Sequence, residues 1–312
     1  MVRRWVRIPL FLLGMLALAA LGVALSFPYL AVNEPSGART AVIEGWIPQE
    51  FMPQVKAEID RHGYEHVYIT GTPRNLSYTL KINDTIAVEL REPRTGVLVA
   101  RACGSDGTGF RIIADRDTIM QHAVAPDCAD FKAEIQDPVE ELVLVPTTDR
   151  WVDPKAEILS TQYMTLDGVN LHTLLRSISI HRSDGTREAG LPTFADLAAA
   201  ELRKAGLDEQ VIITLPTLDN GESRTWANAR LFASRAAHDS IRAVDVISFG
   251  IHGRRSRVTY QTACGPGVDV GIISIQDPAV LPGVWWRDIR GWVKVLKELA
   301  GVPTSYLVKE VN

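Results

Sequence analysis

The sequence predicts an α/β protein in which a parallel sheet with helices on both faces is interrupted by an inserted β domain. Two observations lead to this fold class. Short apolar strands alternate with amphipathic helices in the early and late parts of the chain, which is the pattern of βαβ units in a parallel sheet. Between these parts lies a long stretch without helical periodicity, where short alternating runs predominate. A third observation, an uncharged apolar segment at the start, predicts one transmembrane helix before the α/β fold.

The N-terminal segment predicts a membrane anchor. Arg3, Arg4 and Arg7 precede an uncharged stretch over residues 8–32, and a spanning helix needs about 20 apolar residues. Because the arginines lie on one side only, the positive-inside rule predicts a single pass through the plasma (inner) membrane, with a cytoplasmic N-terminus and an extracytoplasmic body. A cleaved signal peptide is the alternative, since residues 24–26 (ALS) form an acceptable cleavage pattern. Both interpretations place the body outside the cytoplasm.

The first βαβ unit follows a short polar linker. An apolar strand at residues 41–43 is followed by a helix that Pro48 can open and that Gly63 ends. A second strand covers residues 67–70. The unit is about 30 residues long, as expected for βαβ.

The middle of the chain predicts a β-sandwich. Runs such as residues 78–82 (YTLKI), 86–90 (IAVEL) and 142–145 (LVLV) are separated by turn residues, for example residues 94–96 (RTG). Several short strands at this spacing are typical of a β-sandwich.

The helical period returns at Thr193, and strands near residues 211–213, 244–249 and 268–275 then alternate with helices. The last helix is predicted to carry one apolar stripe, formed by Ile289, Trp292, Val293, Leu296 and Leu299. The predicted organisation is a membrane anchor (residues 1–32), a Rossmann-like α/β domain (33–73 and 191–312) and an inserted β-sandwich (74–190).

Composition and cysteine spacing limit the functional classes. The formal net charge of −4 lacks the basic excess of nucleic-acid-binding proteins. Cys103 and Cys128 are close enough in sequence to form a disulfide in an oxidising compartment, and Cys264 is expected to be a buried apolar residue. No cysteine and histidine spacing is typical of zinc, so no metal site is predicted, and the sequence leaves the cofactor unknown.

Candidate site residues follow the predicted parallel strands, because ligands of open parallel sheets bind at the carboxyl ends of the strands. Glycine turns, helix N-termini and arginines at these ends favour an anionic ligand such as a phosphate. The candidate catalytic residues are Glu44 and His252, and the candidate ligand-binding residues are Gly45, Gly71, Arg224 and Arg255. Each also has a structural interpretation: a helix cap for Glu44, a hydrogen-bonding residue for His252 and surface charges for the arginines. The motifs GxSxG, P-loop, HExxH and GxGxxG are absent from the sequence.

Five short segments resemble one protein family. Residues 41–48 (AVIEGWIP) look like the opening strand of YdcF/SanA/ElyC-like envelope proteins, in the subgroup with an EGW start. Residues 68–73 (YITGTP) resemble its TGGP motif, with a threonine in place of the second glycine. Residues 223–229 (SRTWANA), 250–256 (GIHGRRS) and 285–287 (WWR) resemble three later motifs in the correct order.

The resemblance implies a Rossmann-like fold, one membrane anchor and a role in envelope biogenesis. Thr70 and Thr225, which also lie at the ends of predicted strands, and Asn228, which lies in a matching segment, complete the candidate ligand-binding residues. The chemistry of this family is poorly defined, so whether the chain is an enzyme stays open.

The insert is similar to calcium-dependent xylan-binding carbohydrate-binding modules, on the pattern of residues 86–90 and 165–169. The stretch that corresponds to their metal motif reads VPTTDRW at residues 145–151, and no DRNL follows. Asp149 and Asp153 are too few to hold calcium. The resemblance therefore implies a glycan-binding type of fold without the metal.

The leading functional hypothesis is an envelope protein whose α/β domain binds an anionic metabolite, such as a sugar phosphate or a lipid-linked precursor, beside a glycan-binding insert. The alternative is a non-catalytic glycan-binding or scaffold protein of the envelope. A methyltransferase-like or nucleotide-binding protein is a weaker third hypothesis, because the glycine fingerprint is missing. The insert departs just after the second strand, which predicts a position at the rim of the α/β cleft, although a tolerated surface insertion is the competing interpretation.

Overall fold

A five-stranded parallel sheet and a nine-stranded antiparallel sheet form the framework of the protein. The computed structural model describes residues 7–218 and 221–307. The helices are α1 (Arg7–Leu30), α2 (Met52–His62), α3 (Leu171–Leu174), α4 (Phe194–Lys204), α5 (Arg224–His238), α6 (Gly253–Cys264) and α7 (Ile289–Leu307). The strands are β1 (Thr40–Glu44), β2 (His66–Gly71), β3 (Thr79–Lys81), β4 (Thr85–Gly104), β5 (Thr108–Ala114), β6 (Asp117–Ala123), β7 (Ala129–Thr148), β8 (Glu157–Leu166), β9 (Val169–Asn170), β10 (Leu175–His181), β11 (Arg187–Ala189), β12 (Ile212–Pro216), β13 (Ala243–Phe249) and β14 (Asp269–Ile275).

The chain divides into two compact units. Unit 1 comprises Met1–Gly71, Ala198–Thr217 and Gly221–Asn312, and unit 2 comprises Thr72–Leu197 and Leu218–Asn220. The domain bounds drawn from the sequence, and the placement of the insert at the rim of a cleft, stay predictions.

The sheet of unit 1 has the strand order β12-β2-β1-β13-β14, with every neighbouring pair parallel. One face is covered by α5 and α6, whose Phe232 and Tyr260 pack in the same core as Val42 of β1. On the other face, Phe51 contacts Phe249, with ring centroids 4.8 Å apart, next to the start of α2. The predicted parallel sheet with helices on both faces is therefore present.

Local sequence accounts for α2 in particular. Pro53 lies in the first turn, where its missing N–H costs nothing, and Gly63 ends the helix at φ 65° with its N–H donating to Ile59 O. Val55 and Ile59 are buried at helical spacing. The predicted strand–helix–strand unit is confirmed.

Unit 2 is one continuous antiparallel sheet, with the main order β11-β10-β4-β7-β5-β6 and β8 paired to β3, β4 and β9. The antiparallel β character is confirmed, but one curled sheet takes the place of the predicted two-sheet sandwich. The physical reason is the length of β4 and β7, which are 20 residues each. The first half of β4 pairs with β10 and the second half with β8, across register shifts between Glu89 and Gly96. Residues 94–96, predicted as a turn, are therefore an irregularity inside one strand.

The curled sheet surrounds its own apolar core. Its largest fully buried side chains include Phe110, Leu98 and Ile112. These residues alternate along β4 and β5 with residues of the outer face, as the period of two requires.

The N-terminal apolar segment forms α1, a helix of 24 residues. Among residues 7–218 and 221–307, no helix meets the combined requirements of length and apolarity for crossing a membrane. Arg3 and Arg4, on which the predicted orientation depends, lie outside the described residues.

The predicted disulfide is confirmed, because Cys103 in β4 is bonded to Cys128, the residue before β7. Cys264 at the end of α6 is a free thiol, and its burial raises its pKa to about 11. A thiol with this pKa is protonated at neutral pH and is a poor nucleophile.

Removing the disulfide should destabilise the protein by about 3 kcal/mol, because the bond closes a loop of 25 residues in the unfolded chain. The measurement is the free energy of unfolding in urea for Cys103→Ser with Cys128→Ser against the parent chain, with and without reductant. Cys264→Ser is the matched control, and reductant should still destabilise it. Equal stability of the oxidised parent and the double variant would contradict this expectation.

Candidate functional site

A fully buried carboxylate lies at the carboxyl edge of the parallel sheet of unit 1. Glu44, the last residue of β1, has no exposed surface. Its Oε2 accepts hydrogen bonds from Ser248 Oγ on β13 (2.5 Å) and from Ser256 Oγ on α6 (2.7 Å). The two serine hydroxyls are themselves 2.9 Å apart. Glu44 therefore joins three elements and does not act as the cap of the helix that follows it.

The other carboxylate oxygen, Glu44 Oε1, is buried and has no hydrogen-bond partner among the residues that the structure describes. Nearby, Thr70 Oγ1 lies 3.0 Å from Tyr260 OH. Burial raises the pKa of Tyr260 well above its ordinary value, and the charge of Glu44 adds to this. Tyr260 is therefore a neutral phenol. Leaving Glu44 Oε1 buried without a hydrogen bond from the described residues is energetically costly.

A second polar group surrounds His252, in the 3-10 turn between β13 and α6. Its Nδ1 lies 3.0 Å from Glu298 Oε2 on α7, and its Nε2 lies 3.4 Å from Thr225 Oγ1 in the first turn of α5. Trp46, two residues after Glu44, meets the imidazole edge-on with ring centroids 5.1 Å apart. The imidazole is thus held between a carboxylate and a hydroxyl, with an aromatic ring against it.

Two glycines allow the tight turn that positions His252. Gly250 has φ 56°, and a Cβ on it would lie 2.7 Å from Asp277 Cβ. A Cβ on Gly253 would lie 2.0 Å from Ser274 Oγ. Any larger residue at either position would displace the turn.

Glu298 is an ionised partner of His252. Burial opposes its ionisation, but the hydrogen bond from His252 and the charges of His252 and Arg255 outweigh this effect, so the pKa of Glu298 lies below its ordinary value. Arg255 Nη1 lies 3.7 Å from Glu298 Oε2. Arg255, predicted to bind a ligand, is thus already an ion-pair partner of the site.

Other predicted ligand-binding residues are engaged in internal hydrogen bonds. Gly45 N–H donates to Thr70 O (2.7 Å), and Gly71 O accepts from Thr217 N–H (3.0 Å). The Thr217 hydroxyl in turn donates to Asn228 Oδ1 (2.7 Å) inside the protein.

These hydrogen bonds connect the ends of the strands with α5. Among the predicted ligand-binding residues, Arg224 is exposed to solvent.

The structure thus brings Thr225, His252 and Arg255 together around Glu298, and it places Glu44 in the adjacent buried cluster. Sequence reasoning missed Glu298, Ser248 and Ser256 as functional partners. Helical spacing places Glu298 on the same face of α7 as the buried Val295 and Val302, but it does not identify His252 as its partner.

Unit 2 contains a separate cleft of about 320 Å³. It is lined mainly by small and polar residues, namely Gly107, Thr108, Gly109, Gln121, His122, Ala123, Thr147, Thr148 and Asp149. A Cβ on Gly109 would lie 2.4 Å from His122 O and 3.0 Å from Thr147 Oγ1, so the cleft requires glycine there. Trp151, two residues beyond Asp149, is 85% exposed.

Comparison with known proteins gives little further information. No protein-family model matches the chain, and no curated protein matches it either. Among solved structures, it is similar to the C-terminal domain of EclA, a sugar-binding protein, with 8% identity and a TM-score of 0.21 over 30% of this chain and 76% of that one. It is also similar to protein YxiM of Bacillus subtilis, with 12% identity and a TM-score of 0.15 over 73% of this chain and 70% of that one. Neither likeness carries an argument about fold or function, and the YdcF/SanA/ElyC-like resemblance stays a prediction.

Glu298→Gln should lower the free energy of unfolding by roughly 2 kcal/mol at pH 7, because it removes a charged hydrogen bond to His252. The folded pKa of Glu298 is depressed, so its stabilisation is full above its ordinary pKa of about 4.3 and is lost as pH falls through the folded pKa. The difference in the free energy of unfolding between the Glu298→Gln variant and the parent should therefore become smaller below about pH 4. Glu209→Gln, which removes an exposed partner of Arg203, is the control and should change little. A gap that is independent of pH would refute this account.

Proposed function

We propose that this chain is a membrane-anchored, extracytoplasmic protein of cell-envelope biogenesis, and that unit 1 binds and chemically processes an anionic, phosphate-bearing envelope metabolite. The parallel sheet of unit 1 supports this proposal. Its β2 and β12 lie on one side of β1, and its β13 and β14 lie on the other, an order consistent with the Rossmann-like fold that the sequence resemblance implies. The observation that carries the proposal is the chain of contacts from Thr225 through His252 to Glu298.

This arrangement suits general acid–base chemistry. With Nδ1–H donated to Glu298, the imidazole keeps Nε2 as a proton acceptor. Nε2 can then take a proton from the Thr225 hydroxyl, or from a water or substrate hydroxyl in that position, and Glu298 stabilises the resulting imidazolium. His252 and Glu298 are 14% and 12% exposed, so both are shielded yet reachable.

The anionic character of the substrate is supported by the surroundings of Thr225. Arg224 is exposed in the first turn of α5, where the helix dipole also favours negative charge. Arg255 lies beside Glu298 and adds a second cation. A phosphate bound by Arg224 would be held next to Thr225, the residue whose hydroxyl contacts His252 Nε2.

Glu44 has an indirect role in this proposal. Its carboxylate holds Ser248 and Ser256, the residues on either side of the turn that carries His252. A fully buried side chain cannot contact substrate without opening of the site. We therefore assign acid–base catalysis to His252 and positioning of the β13–α6 turn to Glu44.

His252→Gln should lower turnover about 10²–10⁴-fold, the usual contribution of a positioned acid–base group. The full chain would be incubated with a panel of sugar phosphates and lipid-linked envelope precursors, and products would be followed by mass spectrometry. His238→Gln is the matched control, because His238 is also paired with a carboxylate, Asp239, but lies at the opposite end of α5. Unchanged turnover in the His252 variant would contradict the proposal.

A second candidate function is glycan binding by unit 2 without catalysis, and the polar cleft and the exposed Trp151 favour it. Sugars bind through hydrogen bonds to polar groups and through stacking of their C–H faces on aromatic rings. Hydroxyl, amide and carboxylate groups line the cleft, and the indole of Trp151 is 85% exposed. An indole left in water two residues after Asp149, which lines the cleft, is a feature that a sugar ligand explains.

Trp151→Ala should weaken binding of envelope oligosaccharides roughly tenfold, the equivalent of about 1.4 kcal/mol of lost stacking. Isothermal titration of the full chain with defined glycan fragments provides the measurement. Trp286→Ala, which removes a partly exposed tryptophan of unit 1, and His252→Gln are controls that should leave the affinity unchanged. If all three variants bind equally well, unit 2 does not use Trp151 for glycans.

A further inference from the structure

Helix α7 is apolar on two opposite sides. Val295 and Val302 are buried against the rest of unit 1. On the other side, Ile289, Val293 and Leu296 are 74%, 60% and 55% exposed. The single stripe predicted from the sequence therefore mixes residues from different sides of the helix, and its outward members remain in water.

The outward residues form a continuous row, because positions 289, 293 and 296 are spaced by four and three residues. Single exposed apolar residues are common on protein surfaces, but a row of large aliphatic side chains along one helix face marks a contact surface. A helix with apolar residues on both sides is typical of one that has a second partner.

The neighbour of α7 indicates what this partner is. Within unit 1, α7 contacts α1, where Val23 and Phe27 pack in the same cluster as Trp292 and Leu299. Helix α1 has an exposed apolar row of its own, comprising Met15, Leu18, Leu21, Leu25 and Tyr29. The exposed row of α7 is thus next to the segment that the proposed function places in the membrane.

The charges around the row fit an anionic lipid surface. Arg290, Lys294 and Lys297 lie along one flank of α7, and Lys294 also pairs with Asp277. Trp286, just before α7, is 39% exposed. Tryptophan and basic residues beside an apolar row are favoured at the boundary between water and anionic lipids. In an antiparallel two-fold contact, a second copy of this chain would bring the same basic flank of both helices to one side.

We infer that α7 lies in the headgroup region of an anionic phospholipid membrane, with Ile289, Val293 and Leu296 inserted among the lipids. This inference rests on the membrane anchoring in the proposed function. It also specifies the substrate class, since Glu298 on the inner side of the same helix binds His252. The site then lies about one helix diameter, 10–12 Å, from the lipid surface, which suits a lipid-linked substrate with its headgroup at His252.

The test uses the full chain in vesicles of phosphatidylcholine with phosphatidylglycerol. An environment-sensitive fluorophore is attached to Val293→Cys in a Cys264→Ala background, without reductant so that the Cys103–Cys128 bond stays closed. We expect a blue shift of emission on vesicles and quenching by lipids that carry a shallow nitroxide. Leu296→Cys should behave alike, whereas Ala57→Cys, exposed on α2, should show neither effect.

The outcomes separate this inference from the anchoring itself. Protein that sediments with vesicles while its labels at 293 and 296 keep aqueous emission overturns the inference and leaves the anchoring intact. A blue shift that depends on protein concentration and occurs without lipid quenching would show that the exposed row of α7 binds a second copy of the chain. This result also overturns the inference. Failure of the full chain to sediment with vesicles overturns both.

Discussion

The buried carboxylate of Glu44 is the constraint on which the carboxyl edge of unit 1 depends. A carboxyl group removed from water costs free energy unless hydrogen bonds replace its solvation. Ser248 and Ser256 supply two such bonds to one oxygen. They lie before and after His252 in sequence, so satisfying Glu44 also fixes the two ends of the turn that presents the imidazole. Glu44 Oε1, which has no hydrogen-bond partner within residues 7–218 and 221–307, shows that this arrangement retains an energetic cost, as polar sites built for function often do.

Helix α7 connects this chemistry with the surface of the protein. Its inner side contributes Glu298, which orients His252 and pairs with Arg255, and its outer side carries the exposed aliphatic row. Because a helix is rigid over its length, any partner that binds the outer row also restrains Glu298. Binding at the surface and orientation of the imidazole are therefore linked by one element.

The sequence predicts most of unit 1 because its signals are local. The strands around Glu44 and Thr70 and the helix between them follow from apolar periodicity and from Gly63, all within about 30 residues. The contact between His252 and Glu298 joins residues 46 positions apart, and no pattern of spacing reports such a pair. The two-sided character of α7 was missed for a different reason, since periodicity detects an apolar row but does not tell which side faces the core. In unit 2, residues 94–96 have the composition of a turn, yet pairing with β7 on both sides keeps them within β4.

The two predicted catalytic residues, Glu44 and His252, differ in how easily a substrate can reach them. Glu44 has no exposed surface and both its hydrogen-bonding neighbours are protein hydroxyls, so a substrate proton would reach it only after three elements separate. His252 is partly accessible, and its Nε2 contact with Thr225 is 3.4 Å, longer than a strong hydrogen bond. Contacts of catalytic groups are often long before substrate binds and shorten in the complex. A general base requires one imidazole nitrogen that is fixed and one that can exchange its proton. In His252, the Glu298 carboxylate holds Nδ1 closely, whereas the Thr225 hydroxyl holds Nε2 only loosely.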